Sequence, residues 1–426
     1  MKKLFFFLVI LFGCETKNDS LPNVILVLVD DLGYNDVGFN GSKDIRTPNI
    51  DMLSKNGVTF TNGYVSYPVC SPSRAGIITG RYQDKFGYGL NILYTPKDPK
   101  MGLPLSEYTL ADLFKSRNYI SSAIGKWHLG AHESLRPLNR GFDEFFGFLT
   151  GGHRYFPEEW IFEDETEVKS QSDAYRTKLL RNNQRVDENE YLTDALSREA
   201  IDFIDRNNDN PFFLYYASPI PHAPLQAPEY LIEKYRKIIG DEEPYLGNVG
   251  YFPTRYPRAT YAAMIEYIDI QVGEIVQQLK DNGIYENTII MLTSDNGPTY
   301  AGGVDFKYFN STGVFQNDPK RMKGYTYEGG VRVPFIVSWP NKIKSKRVID
   351  DISISYDIFP TITELSGVND SNTYPTDGIS LYNIFTDKNS SLERDYIYWE
   401  FPSYGGQQAA RMGDYKAILK DIKKGN

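Results

Sequence analysis

Residues 23–29 read NVILVLV and run straight into Asp30 and Asp31. Three further apolar runs end in polar groups: 119–124 into Gly125-Lys126-Trp127-His128, 212–217 into Ser218-Pro219-Ile220-Pro221-His222, and 288–293 into Ser294-Asp295-Asn296-Gly297. A fifth, 333–338, follows Glu328-Gly329-Gly330-Val331-Arg332. Near-continuous apolar runs of this length, bounded by turn residues, suit strands covered on both faces. Between them the period changes to that of a helix. Residues 192–206 carry Leu196, Ala200, Phe203 and Ile204 at helical spacing, and 260–279 carry Met264, Ile268, Val272, Ile275, Val276 and Leu279 before Asn282-Gly283. Ser106 and Thr109 open another helix toward Lys115. The alternation predicts an α/β fold: a mostly parallel central sheet flanked by helices.

From about Asp350 the pattern changes to a helix over 356–366, a polar stretch over 367–378, and short aromatic runs over 396–401 and 415–419. This predicts a smaller C-terminal α+β subdomain, an antiparallel sheet with a helix. The expected organisation is a leader over 1–20, a main domain over 21–370 and the subdomain over 371–426.

In sheets of this kind ligands bind beyond the carboxyl ends of the strands, where Asp30, Asp31, Lys126, His128, His222, Asp295 and Asn296 fall. Three carboxylates and an amide oxygen form a hard, all-oxygen donor set suited to Ca²⁺ or Mg²⁺ rather than zinc. Asp and Asn at strand ends also cap helices and shape turns. Two such clusters at equivalent positions of one sheet favour the metal, because carboxylates gathered without a cation repel. Arg74, Lys126, His128, His222 and Lys323 form the accompanying basic set. Beside a divalent cation they suit a tetrahedral oxyanion, with a histidine to protonate the leaving group; a set of solvated surface cations is the bland alternative.

The formal net charge is −9, which argues against a nucleic-acid surface. Any anionic substrate needs a local basic pocket. At the N-terminus, MKKLFFFLVILFGC reads as an export signal, its apolar stretch being too short to span a bilayer. Its Leu11-Phe12-Gly13-Cys14 ending resembles a bacterial lipobox, which would lipidate Cys14 and make membrane attachment a matter of that anchor alone. Plain secretion and an uncleaved anchor are the alternatives; each places the protein outside the cytoplasm, in the periplasm or at the cell surface.

That leaves Cys70, one of only two cysteines, without a disulfide partner in an oxidising compartment if Cys14 carries lipid. A buried inert thiol is one reading; a nucleophile activated by Arg74 is another. A thiolate beside a hard cation is chemically mismatched, which suggests that the sulfur does not survive into the mature protein.

Cys70-Ser71-Pro72-Ser73-Arg74 followed by Thr79-Gly80-Arg81 resembles the signature of type I sulfatases, in which the cysteine is oxidised to Cα-formylglycine. NVILVLVDDLGYNDVG, GKWHLG, PHAP, SDNG and MKGYTYEGGVRVPFIVSWP resemble further motifs of that family, in the family's order, over residues 21–366. The resemblance implies an alkaline-phosphatase-like sandwich with a smaller C-terminal subdomain. It further implies a formylglycine at position 70 whose hydrate attacks sulfur, giving a sulfo-enzyme intermediate, with Arg74 stabilising the hydrate. Asp30, Asp31, Asp295, Asn296 and the modified Cys70 would hold Ca²⁺, in preference to Mg²⁺. Lys126, His222 and Lys323 would grip the sulfate, with His222 as general acid, and His128 would help expel sulfate as the aldehyde re-forms. A formylglycine-generating maturation enzyme is implied as a partner.

Similarity to bacterial arylsulfatases and polysaccharide sulfatases implies a sulfated carbohydrate or aryl sulfate as substrate. The segment Gly151-Gly152-His153-Arg154-Tyr155-Phe156 is a candidate sugar-binding rim, with His153 and Arg154 as substrate contacts; an ordinary surface loop is the alternative. Two rival functions stand beside the sulfatase: a phosphodiesterase or phosphonate monoester hydrolase of the same superfamily, and a catalytically silent glycan-binding lipoprotein. Such families continue past Ala410–Lys416 into a further strand with a Glu-Leu-Tyr-Asp-Leu-like motif, which is not reached before Asn426; either a longer protein is truncated here or the subdomain is short.

Overall fold

The computed structural model describes residues 21–163, 166–343, 346–367, 375–387 and 390–424. Cys14 and the expected leader lie outside them. A ten-stranded sheet runs in the order Arg347–Ile349, Val58–Phe60, Phe335–Ser338, Thr288–Ser294, Asn23–Val29, Phe212–Ser218, Ile120–Lys126, Glu144–Phe148, Leu179–Arg181, Gln184–Val186. The five strands from Thr288–Ser294 to Glu144–Phe148 are parallel. Phe335–Ser338 pairs antiparallel with Thr288–Ser294. The connection between those two strands, residues 295–334, holds only the short helices Pro319–Arg321 and Glu328–Val331; it is long enough for a crossover but lacks the long helix that usually makes one. The expected mostly parallel sheet is parallel at its centre, with antiparallel pairs outside it on both sides and one further parallel pair, Arg347–Ile349 with Val58–Phe60, at an edge.

Every residue of Asn23–Val29 is buried, and its alternate side chains enter two different cores. Ile25, Val27 and Val29 pack with Leu196, Phe203, Ile268 and Val272, whereas Val24, Leu26 and Leu28 pack with Ile77, Leu110, Phe114 and Phe359. The first layer is built on helices Leu192–Arg206 and Pro257–Asp281, the second on Cys70–Thr79, Leu110–Lys115 and Ile358–Leu365. Period-two burial on both faces is what an unbroken apolar strand needs. Thr109 caps Leu110–Lys115 through a capping box with Asp112.

Near the C-terminus, Ile397–Phe401, Gln407–Met412 and Tyr415–Lys420 form the expected antiparallel sheet. It is pinned to the main body by fully buried Trp399, whose Nε1 donates to the Val65 carbonyl at 2.8 Å. A partly buried ion pair between Lys416 Nζ and Glu328 Oε1 at 2.9 Å adds a polar tie. The helix Tyr382–Thr386 packs Ile384 and Phe385 into the same core as Phe359 and Val58.

Candidate active site

Register brings the two acidic clusters together. Val29 is paired with Ser294 on one side and Ser218 on the other, so Asp30-Asp31, Asp295-Asn296 and the turn to His222 leave the sheet side by side. Lys126 ends the next strand over. Facing them is the N-terminus of Cys70–Thr79, a helix whose ten residues are all buried. One turn separates Cys70 from Arg74, so thiol and guanidinium share a face of that helix.

Each carboxylate is engaged by a cation of the cluster. Asp30 Oδ1 lies 3.5 Å from Cys70 Sγ, and its Oδ2 accepts from Lys126 Nζ at 2.5 Å. Asp31 Oδ1 accepts from Lys323 Nζ at 2.5 Å and Asn296 Nδ2 at 2.7 Å. Arg74 Nε donates to Asp295 Oδ2 at 2.8 Å, and Nη1 donates to the Lys126 carbonyl at 2.8 Å. One ligand atom each from Asp30, Asp31, Cys70 and Asp295 lies within 4.8 Å of the others.

Burial and crowding set the protonation. Burial, reinforced by Asp295, raises Asp30 to about 7 despite Lys126. Burial also works against ionised Asp31, but Lys323, His222 and Lys126 outweigh it and hold the group at about 2. Asp295 is lowered too, Arg74 and Lys126 overcoming its burial. Burial pushes the Cys70 thiol up to about 12 in spite of Lys126 and Lys323. The residue is therefore a neutral thiol, not the activated thiolate that Arg74 alone would suggest.

The donor set fits a hard divalent cation on two counts. Asn296 Oδ1 is buried with no hydrogen-bond partner among the described residues, a state that polar atoms rarely tolerate. Asp30, Asp31 and Asp295 also offer carboxylate oxygens within 4.8 Å of one another, the hard donors that such a cation takes.

The histidines differ in environment. His222 Nδ1 bonds to the Ala223 carbonyl at 2.7 Å, which fixes the proton on Nδ1 in the neutral ring and leaves Nε2 for a ligand. Burial and Lys323 lower it to about 3 against the pull of Asp31. His128 has a left-handed backbone, φ 56°, and its Nε2 lies 3.2 Å from the Ile92 carbonyl. Its buried Nδ1 has no partner among the described residues, and burial with Lys126 and Arg74 lowers its pKa well below the usual range.

Arg74, Lys126, His128, His222 and Lys323 thus surround Cys70 and the acidic cluster, as the motifs suggest. His153 does not join them: its ring nitrogens bond the carbonyls of Arg154 at 2.7 Å and Thr177 at 2.8 Å, and it packs against Phe148 and Trp160. Both nitrogens of His153, expected as a substrate contact, thus face backbone carbonyls and not the cluster around Cys70. Arg154 is likewise engaged elsewhere, with Nη1 2.7 Å from Glu159 Oε1 and its guanidinium 3.1 Å from the Phe252 ring centre. It braces a neighbouring loop.

Sequence reasoning missed Tyr155, whose buried hydroxyl lies 2.9 Å from the Pro219 carbonyl and 2.7 Å from that of His222. It also missed Ser71, whose Oγ donates to the His128 carbonyl at 2.7 Å. Ser71 lay inside the Cys70 signature and Tyr155 inside the 151–156 segment, but neither carried a local sign of the carbonyl it meets.

A sulfatase family model matches residues 22–368. The chain belongs to the sulfatase family. It is a sulfuric ester hydrolase, and a second model, for the C-terminal part of N-sulphoglucosamine sulphohydrolase, matches residues 319–418 of it. This sulfatase is 32% identical to N-acetylgalactosamine-6-sulfatase of Canis lupus familiaris over 93% of its own chain and 71% of the relative's. It is similar to the crystal structure of Ps i-CgsB in complex with k-i-k-neocarrahexaose, with a TM-score of 0.80 and 37% identity over 94% of this chain and 84% of that one. Phosphonate monoester hydrolase of Agrobacterium radiobacter shares the fold alone, at a TM-score of 0.64 and 19% identity over 94% of this chain and 87% of that one.

Proposed function

We propose that this sulfatase removes sulfate from a sulfated carbohydrate and that Cys70 is converted to Cα-formylglycine by a maturation enzyme. The observation that carries the reading is the position of the buried Cys70, its sulfur within ligand distance of Asp30, Asp31, Asp295 and His222 and one turn from Arg74; burial also raises its thiol to about 12. A thiol in that state is a poor nucleophile, yet its position, 3.5 Å from Asp30, is where a nucleophile belongs. The hydrated aldehyde would supply an oxygen nucleophile together with a second hydroxyl through which sulfate is shed.

Asp30, Asp31, Asp295 and Asn296 would hold Ca²⁺, which supplies positive charge against the nucleophile and the sulfate oxygens. Arg74 keeps its 2.8 Å bond to Asp295 and stabilises an anionic oxygen at position 70. Lys126, Lys323 and His222 Nε2 bind the sulfate oxygens. Sulfate's negative charge favours the protonated form of His222, which then hands a proton to the leaving alcohol. His128 takes the proton released when the hydrate collapses. The carbohydrate assignment is supported by the neocarrahexaose complex of the similar structure. An exported lipoprotein, anchored through Cys14, completes the proposal, with the catalytic domain over 21–370 and the subdomain over 371–426.

The test is turnover of 4-nitrophenyl sulfate and sulfated carrageenan oligosaccharides beside bis(4-nitrophenyl) phosphate, after co-expression with a maturation enzyme. Faster hydrolysis of the sulfate esters is expected. Far faster hydrolysis of the phosphate diester would replace this reading with the phosphodiesterase one.

A further inference from the structure

Beside the sulfate grip lies a cavity of about 360 Å³ lined by Gln171, Ser172, Tyr175, Tyr251 and Phe252. Its two tyrosines flank His222. Tyr251 meets the imidazole edge to face, with ring centres 5.7 Å apart and planes at 85°. Tyr175 reaches it over Gly152: a Cβ on that glycine would lie 2.8 Å from Tyr175 Cε2 and 3.0 Å from His222 Cε1. The missing side chain therefore lets both rings converge on one point. Tyr251 holds a left-handed backbone, φ 62°, a conformation costly for a bulky residue and retained where the surroundings impose it. The loop bearing it is braced from behind by Arg154, stacked 3.1 Å from the Phe252 ring centre, and from within by Tyr245 Oη, which accepts from the Val249 amide at 2.8 Å.

We infer that this cavity is the subsite for the sugar ring that carries the sulfate, with Tyr175 and Tyr251 as stacking walls. The inference rests on the sulfatase reading of the site and names the part of the substrate that the cationic grip does not touch. The occupant follows from position and chemistry. The leaving alcohol must sit beside His222 Nε2, and that histidine packs against Tyr251 and lies across Gly152 from Tyr175. A pyranose offers an apolar face to an aromatic ring and hydroxyls at its rim. Aromatic walls with polar residues at one end match that pattern. The cavity holds about one ring, so stacking acts on the unit being desulfated and not along a polymer. Burial raises the Tyr251 phenol to about 12, against the pull of Lys323, so its hydroxyl remains a donor to a ring substituent at neutral pH.

The experiment uses matured full-length enzyme, wild type and Tyr251→Ala and Tyr175→Ala variants, with three readouts. These are turnover of methyl sulfate, which has no ring; turnover of a panel comprising k-i-k-neocarrahexaose, galactosamine 6-sulfate and glucosamine 6-sulfate; and inhibition by inorganic sulfate. Both variants are expected to lose about tenfold or more in kcat/KM on the best sugar, chiefly through KM. Inhibition by inorganic sulfate should persist, which also shows that the variants are folded, and the loss on methyl sulfate should be clearly smaller than the loss on the sugar. An equal loss on methyl sulfate and sugar, or an unchanged KM for the sugar, overturns the subsite. Wild-type turnover of methyl sulfate with none on any sugar overturns it while leaving the sulfatase reading intact; no turnover of any sulfate ester removes both. A Tyr251→Phe variant separates stacking from hydrogen bonding: recovery of at least half of the wild-type sugar kcat/KM supports the wall, and a loss equal to that of the alanine variant contradicts it.

Discussion

The hydroxyl of Tyr155 lies 2.7 Å from the carbonyl oxygen of His222, 67 residues away in sequence, and 2.9 Å from that of Pro219. One side chain thus ties both ends of the turn that presents the imidazole. Tyr155→Phe removes the donor while keeping the ring. It should lower kcat on a sulfate ester by about tenfold, because small displacements of a reacting group are costly. The His222 carbonyl left without its donor should lower folding stability by about 1–3 kcal/mol, while the Pro219 carbonyl keeps the His222 amide at 3.0 Å. Steady-state kinetics and urea unfolding of the same preparation check both; unchanged kcat would remove Tyr155 from the positioning of His222.

Gly151 faces His128, and a Cβ there would stand 2.9 Å from both Cε1 and Nε2 of the imidazole. Gly151→Ala must push the ring off its position. A loss in kcat of about tenfold to a hundredfold is expected, with little change in KM if His128 acts after substrate binding. Circular dichroism of the variant distinguishes this from misfolding.

The acidic cluster should respond to calcium without any substrate present. Ca²⁺ at about 100 times its dissociation constant stabilises the fold by about 2.7 kcal/mol, so a chelator should lower the melting temperature and excess Ca²⁺ should restore it. Asn296→Ala removes the buried, unpartnered Oδ1 and should weaken that response. A melting temperature indifferent to chelator and Ca²⁺ would argue that the carboxylates serve the lysines alone.

Lys416 links pH to the attachment of the C-terminal sheet. Burial lowers its pKa to about 8, although Glu328 works the other way. In the unfolded chain a lysine titrates near 10.4. The folded state therefore binds fewer protons between about pH 8 and 10.4, and stability rises with pH across that window. Below about pH 8 the cost of the buried charge is present in full. Lys416→Met should flatten this slope, and urea midpoints measured from pH 7 to 10 test it.

The legible parts of the fold were those in which one local pattern carries the information. Asn23–Val29 could be read because both of its faces are buried, and the equivalence of Asp30 and Asp295 followed because both end strands of one sheet. The antiparallel entry of Phe335–Ser338 could not be read, since an apolar run has no direction written in it. The surroundings of His153 could not be read for a related reason. Gly-Gly-His-Arg reads as a loop, but the ring folds back onto Phe148, where only tertiary contacts decide what its nitrogens meet. Tyr155, Tyr175 and Tyr251 are three among 32 tyrosines, and nothing local separates those that reach His222 from those that fill a core.

The central claim concerns the chemistry of position 70. Mass analysis of the peptide spanning Cys70 to Arg74, from protein co-expressed with a formylglycine-generating enzyme and active on a sulfate ester, tests it directly. A residue about 18 Da lighter than cysteine, the thiol having become an aldehyde, is the predicted result. An unmodified thiol in fully active protein would contradict it.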